Sequence, residues 1–266
     1  MESAEAQQEG LKHGMHPSFL NTIRQKERVK ERLKGIRQKI GVYSAKGGVG
    51  KTTVAVNLAY TLARMGYSVG LLDADIDCPN VPMFLGTDAK MDISHFPLKP
   101  LDVRGVKVAS TAMVVDDAKK PIIWRGALVA KMLGDFFENT DWGELDYLII
   151  DLPPGTSDSP LSIMQLLDLK GFVLVTTPQR IAAVNSIRSG LMAKRLGVAV
   201  LGVVENMSAG EPTASTKDVA AATGTEIIGT IMMDKRLGEM ADSGRVPALE
   251  DDKAYNEFKR IAERIK

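Results

Sequence analysis

Ile40-Gly41-Val42-Tyr43-Ser44 runs into Ala45-Lys46-Gly47-Gly48-Val49-Gly50-Lys51-Thr52-Thr53, and Val54–Ala63 continues with a helical pattern. An apolar strand, a glycine-rich loop and a helix in that order are the context a nucleotide-phosphate loop requires. Glycines let consecutive backbone N–H groups turn inward around phosphate oxygens. The helix N-terminus adds partial positive charge. Lys51 is placed to reach the β- and γ-phosphates, and the Thr52 hydroxyl to ligate Mg²⁺. The loop's candidate nucleotide contacts are Lys46, Gly47, Gly48, Val49, Gly50, Lys51, Thr52 and Thr53. The strict pattern asks for glycine where Ala45 stands, and alanine does not easily adopt a positive φ.

Outward from this loop the chain alternates strand and helix. Strands are expected at Ile40–Ser44, Ser68–Asp73, Val106–Ser110, Tyr147–Asp151, Gly171–Thr176, Val198–Glu205 and Thr225–Ile231. Most are continuous apolar runs, the pattern of strands buried on both faces. Helical patterns lie between them, at Lys51–Met65, Gly126–Asn139, Ser159–Leu169, Ile181–Leu196, Ser215–Thr223, Lys235–Ser243 and Lys253–Ile265. The fold class is therefore α/β, a doubly wound and mostly parallel sheet. Ligands in such folds sit beyond the carboxyl ends of the strands.

Three strand ends carry further candidates. Tyr147–Asp151 ends in Asp151, which suits a magnesium-holding carboxylate, and Leu152-Pro153-Pro154-Gly155 follows. Gly155 would let a backbone N–H approach the γ-phosphate, as part of a switch released on hydrolysis. Leu71-Leu72-Asp73-Ala74-Asp75 offers Asp75 to position or polarise the attacking water, with Asp73 in support. Val203-Val204-Glu205-Asn206 ends in Asn206, whose amide has a donor and an acceptor for an adenine edge. Lys46, Lys51 and Asp75 are the catalytic candidates, Thr52 and Asp151 the Mg²⁺ candidates. ATP and Mg²⁺ are the expected substrate and cofactor.

Composition bounds the rest. The chain has 266 residues, 34 Lys+Arg against 33 Asp+Glu, and 44% apolar residues, ordinary for a globular protein. Charge is uneven: residues 1–19 sum to −2, 20–39 to +6 and 40–266 to −3. The division expected is an N-terminal arm over 1–39, flexible then helical, and an ATPase domain over 40–266. The arm's Leu20, Ile23, Val29 and Leu33 do not keep one clean face, which predicts loose packing. A solvated arm is the plain reading; contact with a membrane, nucleic acid or a partner is the alternative. No run of 18 apolar residues predicts a membrane span. The acidic start, Met1 to Glu5, predicts no signal peptide. One cysteine, Cys78, excludes an internal disulfide and fits a cytoplasmic setting.

The motif series is wider than the loop. Lys46–Thr52, Leu71–Gly86, Trp124-Arg125-Gly126, Asp146–Asp158, Thr176-Thr177-Pro178-Gln179 and Val203–Ser208 occur in order. Together they resemble the Mrp/ApbC group of P-loop ATPases, relatives of MinD. Lys46 resembles the extra lysine of the deviant Walker loop in the MinD/ParA/nitrogenase-iron-protein branch. There it crosses a dimer interface to the partner's nucleotide. The resemblance implies a cytoplasmic, ATP-hydrolysing homodimer that binds an iron–sulfur cluster and delivers it to apoprotein clients.

The chain departs from that group at the cluster ligands. The group carries a C-x-x-C pair after the VENMS-type segment, whereas Ala209–Thr216 here holds no cysteine. Hydroxyls and Glu211 are poor ligands for a soft metal. Cys78 is a cluster candidate only in a dimer, and a small buried position beside Pro79 is the plainer role. His13 and His16, spaced i, i+3, are weak ligand candidates. Met232 and Met233 stand where the group often has proline, and thioethers can pack on a purine face. Tyr255, Phe258, Ile261, Ala262 and Ile265 form an apolar stripe at helical spacing, expected to pack into the core. The alternatives to a cluster-handling ATPase are a MinD/ParA-like ATP-dependent positioning or regulatory switch and a nucleotide-binding scaffold with negligible turnover.

Overall fold

The computed structural model describes residues 17–114, 134, 136–155 and 158–266. His13, His16 and Trp124-Arg125-Gly126 lie outside the described residues, as does most of the helix expected from Gly126. Eight strands are described: β1 Ile36–Tyr43, β2 Val69–Asp73, β3 Leu101–Val103, β4 Val106–Ser110, β5 Leu145–Asp151, β6 Gly171–Thr176, β7 Val200–Ser208 and β8 Ile227–Met232. They form one sheet in the order β3-β4-β2-β5-β1-β6-β7-β8. Every pairing is parallel except the edge hairpin of β3 with β4. The sequence pattern does not reveal β3, a three-residue edge strand with one exposed and two half-buried positions.

β1 lies between β5 and β6. The chain therefore winds to one side of β1 through β2 and β4, returns in β5, and continues on the other side with β6. That reversal opens a crevice beyond the carboxyl end of β1, where the glycine-rich loop stands. β2 and β6 are buried at every position, which is why they read as unbroken apolar runs.

Helices cover both faces: α1 Pro17–Arg32, α2 Lys51–Arg64, α3 Val81–Phe84, α4 Asp158–Leu166, α5 Arg180–Arg195, α6 Ala214–Thr223, α7 Lys235–Asp242, α8 Pro247–Glu250 and α9 Asp252–Arg264. α2 is buried from Val54 through Leu62, more than one face, so it is a central helix. α9 starts at an Asp251 cap whose side chain accepts from the Ala254 N–H. Its stripe does pack inward: Phe258, Ile261, Ala262 and Ile265 are buried. No helix among the described residues is long and apolar enough to cross a membrane.

The basic segment packs more tightly than its pattern predicts. Val29, Leu33 and Ile36 are buried in the core, and they stand at i, i+4 and i+7, one stripe of a helix continuing into the strand. β1 begins at Ile36, inside the segment read as the arm. The Arg28 Nε donates to Glu138 Oε1 at 2.6 Å, and Arg32 Nε to the Glu138 carbonyl at 2.9 Å. Arg37 reaches Asp146 at 3.1 Å. These exposed pairs are each worth little; burial of Val29 and Leu33, about 1.5–3 kcal/mol per side chain, is what docks the helix.

Candidate functional site

The glycine-rich loop ends at Gly50, which caps α2 with φ 81° in the left-handed region. Gly48 also has positive φ, 78°. Ala45 does not: the non-glycine residues described with positive φ are Arg104 and Met207. The alanine therefore costs the loop nothing in backbone strain. Among the described residues a Cβ at Gly47 or Gly48 would meet nothing within 4 Å, so their faces are open to these residues, as a phosphate cradle requires. Gly50 is different, because a Cβ there would lie 2.1 Å from Asn206 Nδ2.

Lys51, only 7% exposed, donates from Nζ to Asp151 Oδ1 at 2.5 Å. Thr52 Oγ1 donates to Asp151 Oδ2 at 2.7 Å. The lysine and hydroxyl of the loop thus share the carboxylate at the end of β5. A hydroxyl and a carboxylate side by side are hard oxygen donors of the kind Mg²⁺ selects. The residues present fit an ATP–Mg²⁺ complex on both counts, an open cradle and an oxygen donor set.

Asp73 sits opposite Asp151 in the β2–β5 register. It is fully buried and accepts from the Asp75 and Val81 backbone N–H groups and from Ser110 Oγ. Burial first, and the Asp151 charge second, push its carboxyl above the usual range. Asp75 accepts from the Cys78 N–H at 3.2 Å. Burial raises its pKa, while the nearby Lys51 charge opposes the shift. Asp75 is therefore held near the loop lysine, with burial and the Lys51 charge acting on its carboxyl in opposite directions.

Cys78 is exposed, not buried; the loop turns its side chain outward while its N–H tethers Asp75. Lys46 is exposed. With Gly47, Gly48, Val49, Thr177, Pro178, Gln179, Met207 and Met233 it lines a cavity of about 280 Å³. Asn206 Nδ2 donates to the Val49 carbonyl at 2.8 Å, so this side chain rests on the loop itself. The Gly155 N–H donates to the Ser44 carbonyl at 3.1 Å.

Two residues of the site escape the sequence pattern. Glu205 is fully buried. Its carboxylate accepts from Ser208 Oγ at 2.6 Å, from Thr213 N–H at 2.9 Å and Oγ1 at 2.7 Å, and from Thr216 Oγ1 at 2.5 Å. Burial acts to raise its pKa, but these bonds outweigh it and lower the carboxyl below its ordinary value. A carboxylate inside the apolar run Val203-Val204-Glu205 is the signal that marks it. Between Asn206 and this network stands Met207, with φ 58°, a strained position of the kind that gathers at functional loops. The second residue is Tyr43, described below.

A parallel α/β sheet with a lysine, threonine and aspartate joined at the carboxyl end of its central strand defines a P-loop NTPase. The sequence profile of the family described as ParA: NUBPL iron-transfer P-loop NTPase matches residues 35–266, and the chain belongs to that family. It is 40% identical over 257 residues to the iron-sulfur cluster carrier protein of Methanocaldococcus jannaschii, covering 91% of this chain and 88% of that one. The carrier protein of Pyrococcus horikoshii is 39% identical, covering 92% and 91%. Among solved structures, a nucleotide-binding protein from Archaeoglobus fulgidus in complex with ADP superposes with TM-score 0.73 at 38% identity, covering 88% of this chain and 96% of that one. The cell division ATPase MinD of Pyrococcus furiosus, 21% identical, shares the fold with TM-score 0.65 over 86% of this chain and 98% of that one.

Proposed function

We propose that this chain binds ATP with Mg²⁺ and hydrolyses it as a homodimer, in the service of iron–sulfur cluster assembly and transfer to apoprotein clients. The observation that carries the nucleotide reading is the Lys51–Asp151–Thr52 set beside the open Gly47–Gly48 cradle. The ADP complex of the Archaeoglobus fulgidus relative supports it.

Loop amides receive the phosphate oxygens, and Lys51 turns from Asp151 to the β- and γ-phosphates. Thr52 and Asp151 hold the magnesium, which when bound neutralises charge on those phosphates. Asp75 orients the attacking water, and Lys46 reaches across to the second subunit's nucleotide. Asn206 and the methionines Met207 and Met233 lie on the side of the cradle where a purine would rest. Phosphoryl transfer asks for this positioning and charge more than for a strong base.

The cluster is cargo, and here the residues set a limit. Two copies of Cys78 supply two thiolates, where a cluster held by the protein alone takes four ligands. The dimer's own thiolates are too few, so the remaining ligands come from the client. The lack of cysteine in Ala209–Thr216 favours a second reading, a MinD/ParA-like switch whose dimer state answers to ATP without cargo.

Phosphate release by the purified protein, with and without Mg²⁺, tests the first step. Magnesium-dependent turnover is the expected result; absence of nucleotide binding at millimolar ATP refutes the assignment. Anaerobic reconstitution with iron and sulfide then separates the two readings. Cluster retained only with an apoprotein client present fits the first. A colourless protein under both conditions, with dimerisation that still follows ATP, fits the second.

A further inference from the structure

The segment after β5 is fastened to the end of β1 at three points. The Leu152 N–H donates to the Val42 carbonyl at 3.1 Å, and the Gly155 N–H to the Ser44 carbonyl at 3.1 Å. The Tyr43 hydroxyl donates to the Gly155 carbonyl at 2.5 Å. Both polar groups of Gly155 are thereby taken. Tyr43 is fully buried, and its ring packs edge-on against Phe172 with centroids 5.5 Å apart. The hydroxyl is therefore fixed in place. Burial raises the phenol's pKa.

Gly155 is in the left-handed region, φ 95°, and among the described residues no atom lies within 4 Å of where a Cβ would point. Once those bonds are released a glycine has wide backbone freedom, whereas Pro153 and Pro154 before it are stiff. An N–H bonded to Ser44 cannot at the same time donate to a terminal phosphate. Ser44 is also the residue whose Oγ donates to the Lys46 carbonyl at 3.0 Å. The end of β1 thus holds both nucleotide-facing loops.

Resting on the ATP reading above, we propose that Tyr43 is a positioning residue that sets the preference between nucleoside triphosphate and diphosphate, by latching Gly155 away from the γ-phosphate. ATP draws the Gly155 N–H from Ser44 and breaks the Tyr43 bond. ADP has no γ-phosphate and leaves the latch closed. Apparent affinity for the triphosphate is reduced by the fraction of molecules latched, so weakening the latch strengthens triphosphate binding alone.

Tyr43→Phe tests this, because the ring and its packing are kept and one hydrogen bond is removed. A non-hydrolysable ATP analogue and ADP are titrated against both proteins. The analogue is expected to bind about fivefold tighter to Tyr43→Phe, the effect of one neutral hydrogen bond, with ADP affinity unchanged. Equal shifts for both nucleotides, no shift, or a weaker analogue overturn the latch. A wild type that binds neither nucleotide removes the ATP reading and the latch together; one that binds both while the ratio stays fixed removes the latch alone. Hydrogen exchange without nucleotide gives an independent readout. Pro153 and Pro154 carry no amide, so the stretch from Leu152 to Gly155 reports on its two ends. Exchange at Gly155 is expected to be several-fold faster in Tyr43→Phe, and equal rates overturn the proposal.

Discussion

Lys51 and Asp151 form an ion pair with 2.5 Å between charged atoms, at 7% and 1% side-chain exposure. Solvent screening is small there, and the gross attraction is about 7 kcal/mol at an effective dielectric of about 20. Most of it offsets the cost of taking both charges out of water. The sharper quantity is the effect of removing one partner. Lys51→Met leaves Asp151 buried with no cation, facing Asp73 across the β2–β5 ladder. Such a loss costs about 3–5 kcal/mol. Lys51→Met with Asp151→Asn leaves no orphan charge and should recover most of that stability. Urea unfolding of the wild type, both single variants and the double variant closes the cycle, and a coupling of about 3 kcal/mol is expected. The double variant should be folded and still fail to bind Mg²⁺–ATP, which separates loss of the site from loss of the fold. A coupling below about 1 kcal/mol would refute the reasoning, since it would mean the pair is as weak as an exposed one.

Glu205→Gln removes a charge whose folded pKa is lowered. Wild-type stabilisation from this group is present above the unfolded carboxylate value, near 4.3, and is lost as pH falls through the lower folded value. The variant should lose about 1–3 kcal/mol at neutral pH and show a flatter acid limb, read by denaturation at a series of pH values. Leu33→Ala, at a position 2% exposed, should lower unfolding stability by about 2–5 kcal/mol. A change below about 0.5 kcal/mol would return α1 to the status of a solvated arm. Lys46→Ala should weaken ATP-driven dimerisation, followed by sedimentation, more than ATP binding itself; a normal mass shift counts against a role across the interface.

The strands and the loop were legible because their cues are local. Five- to seven-residue, mostly apolar runs ending in Asp73, Asp151 or Thr176 need no knowledge of their neighbours to be read as buried parallel strands. The docking of α1 was less legible. Leu20 and Ile23 obscure the Val29–Leu33–Ile36 stripe, and only the position of Glu138, over a hundred residues away, explains where Arg28 and Arg32 lie. Tyr43 was hidden for a different reason. In a strand of mixed apolar residues an aromatic looks like core, which it is; its hydroxyl acts on a glycine 112 positions later. Side-chain contacts across such distances leave no periodic trace.

The missing thiolates and the buried Glu205 bear on one another. Of the hydroxyls in the loop that stands in place of the cysteine pair, those of Ser208, Thr213 and Thr216 donate inward to Glu205. They are committed to holding the loop's shape, so they are not outward-facing ligands even for a harder metal. The same strand presents Asn206 to the Val49 carbonyl. The phosphate loop and the Glu205 network are therefore linked through one peptide unit, that between Glu205 and Asn206. What the loop offers to the outside is Ala209, Gly210 and Glu211, all exposed. The exposed tip thus carries one charged side chain, Glu211, while the hydroxyls of Ser208, Thr213 and Thr216 turn inward to Glu205.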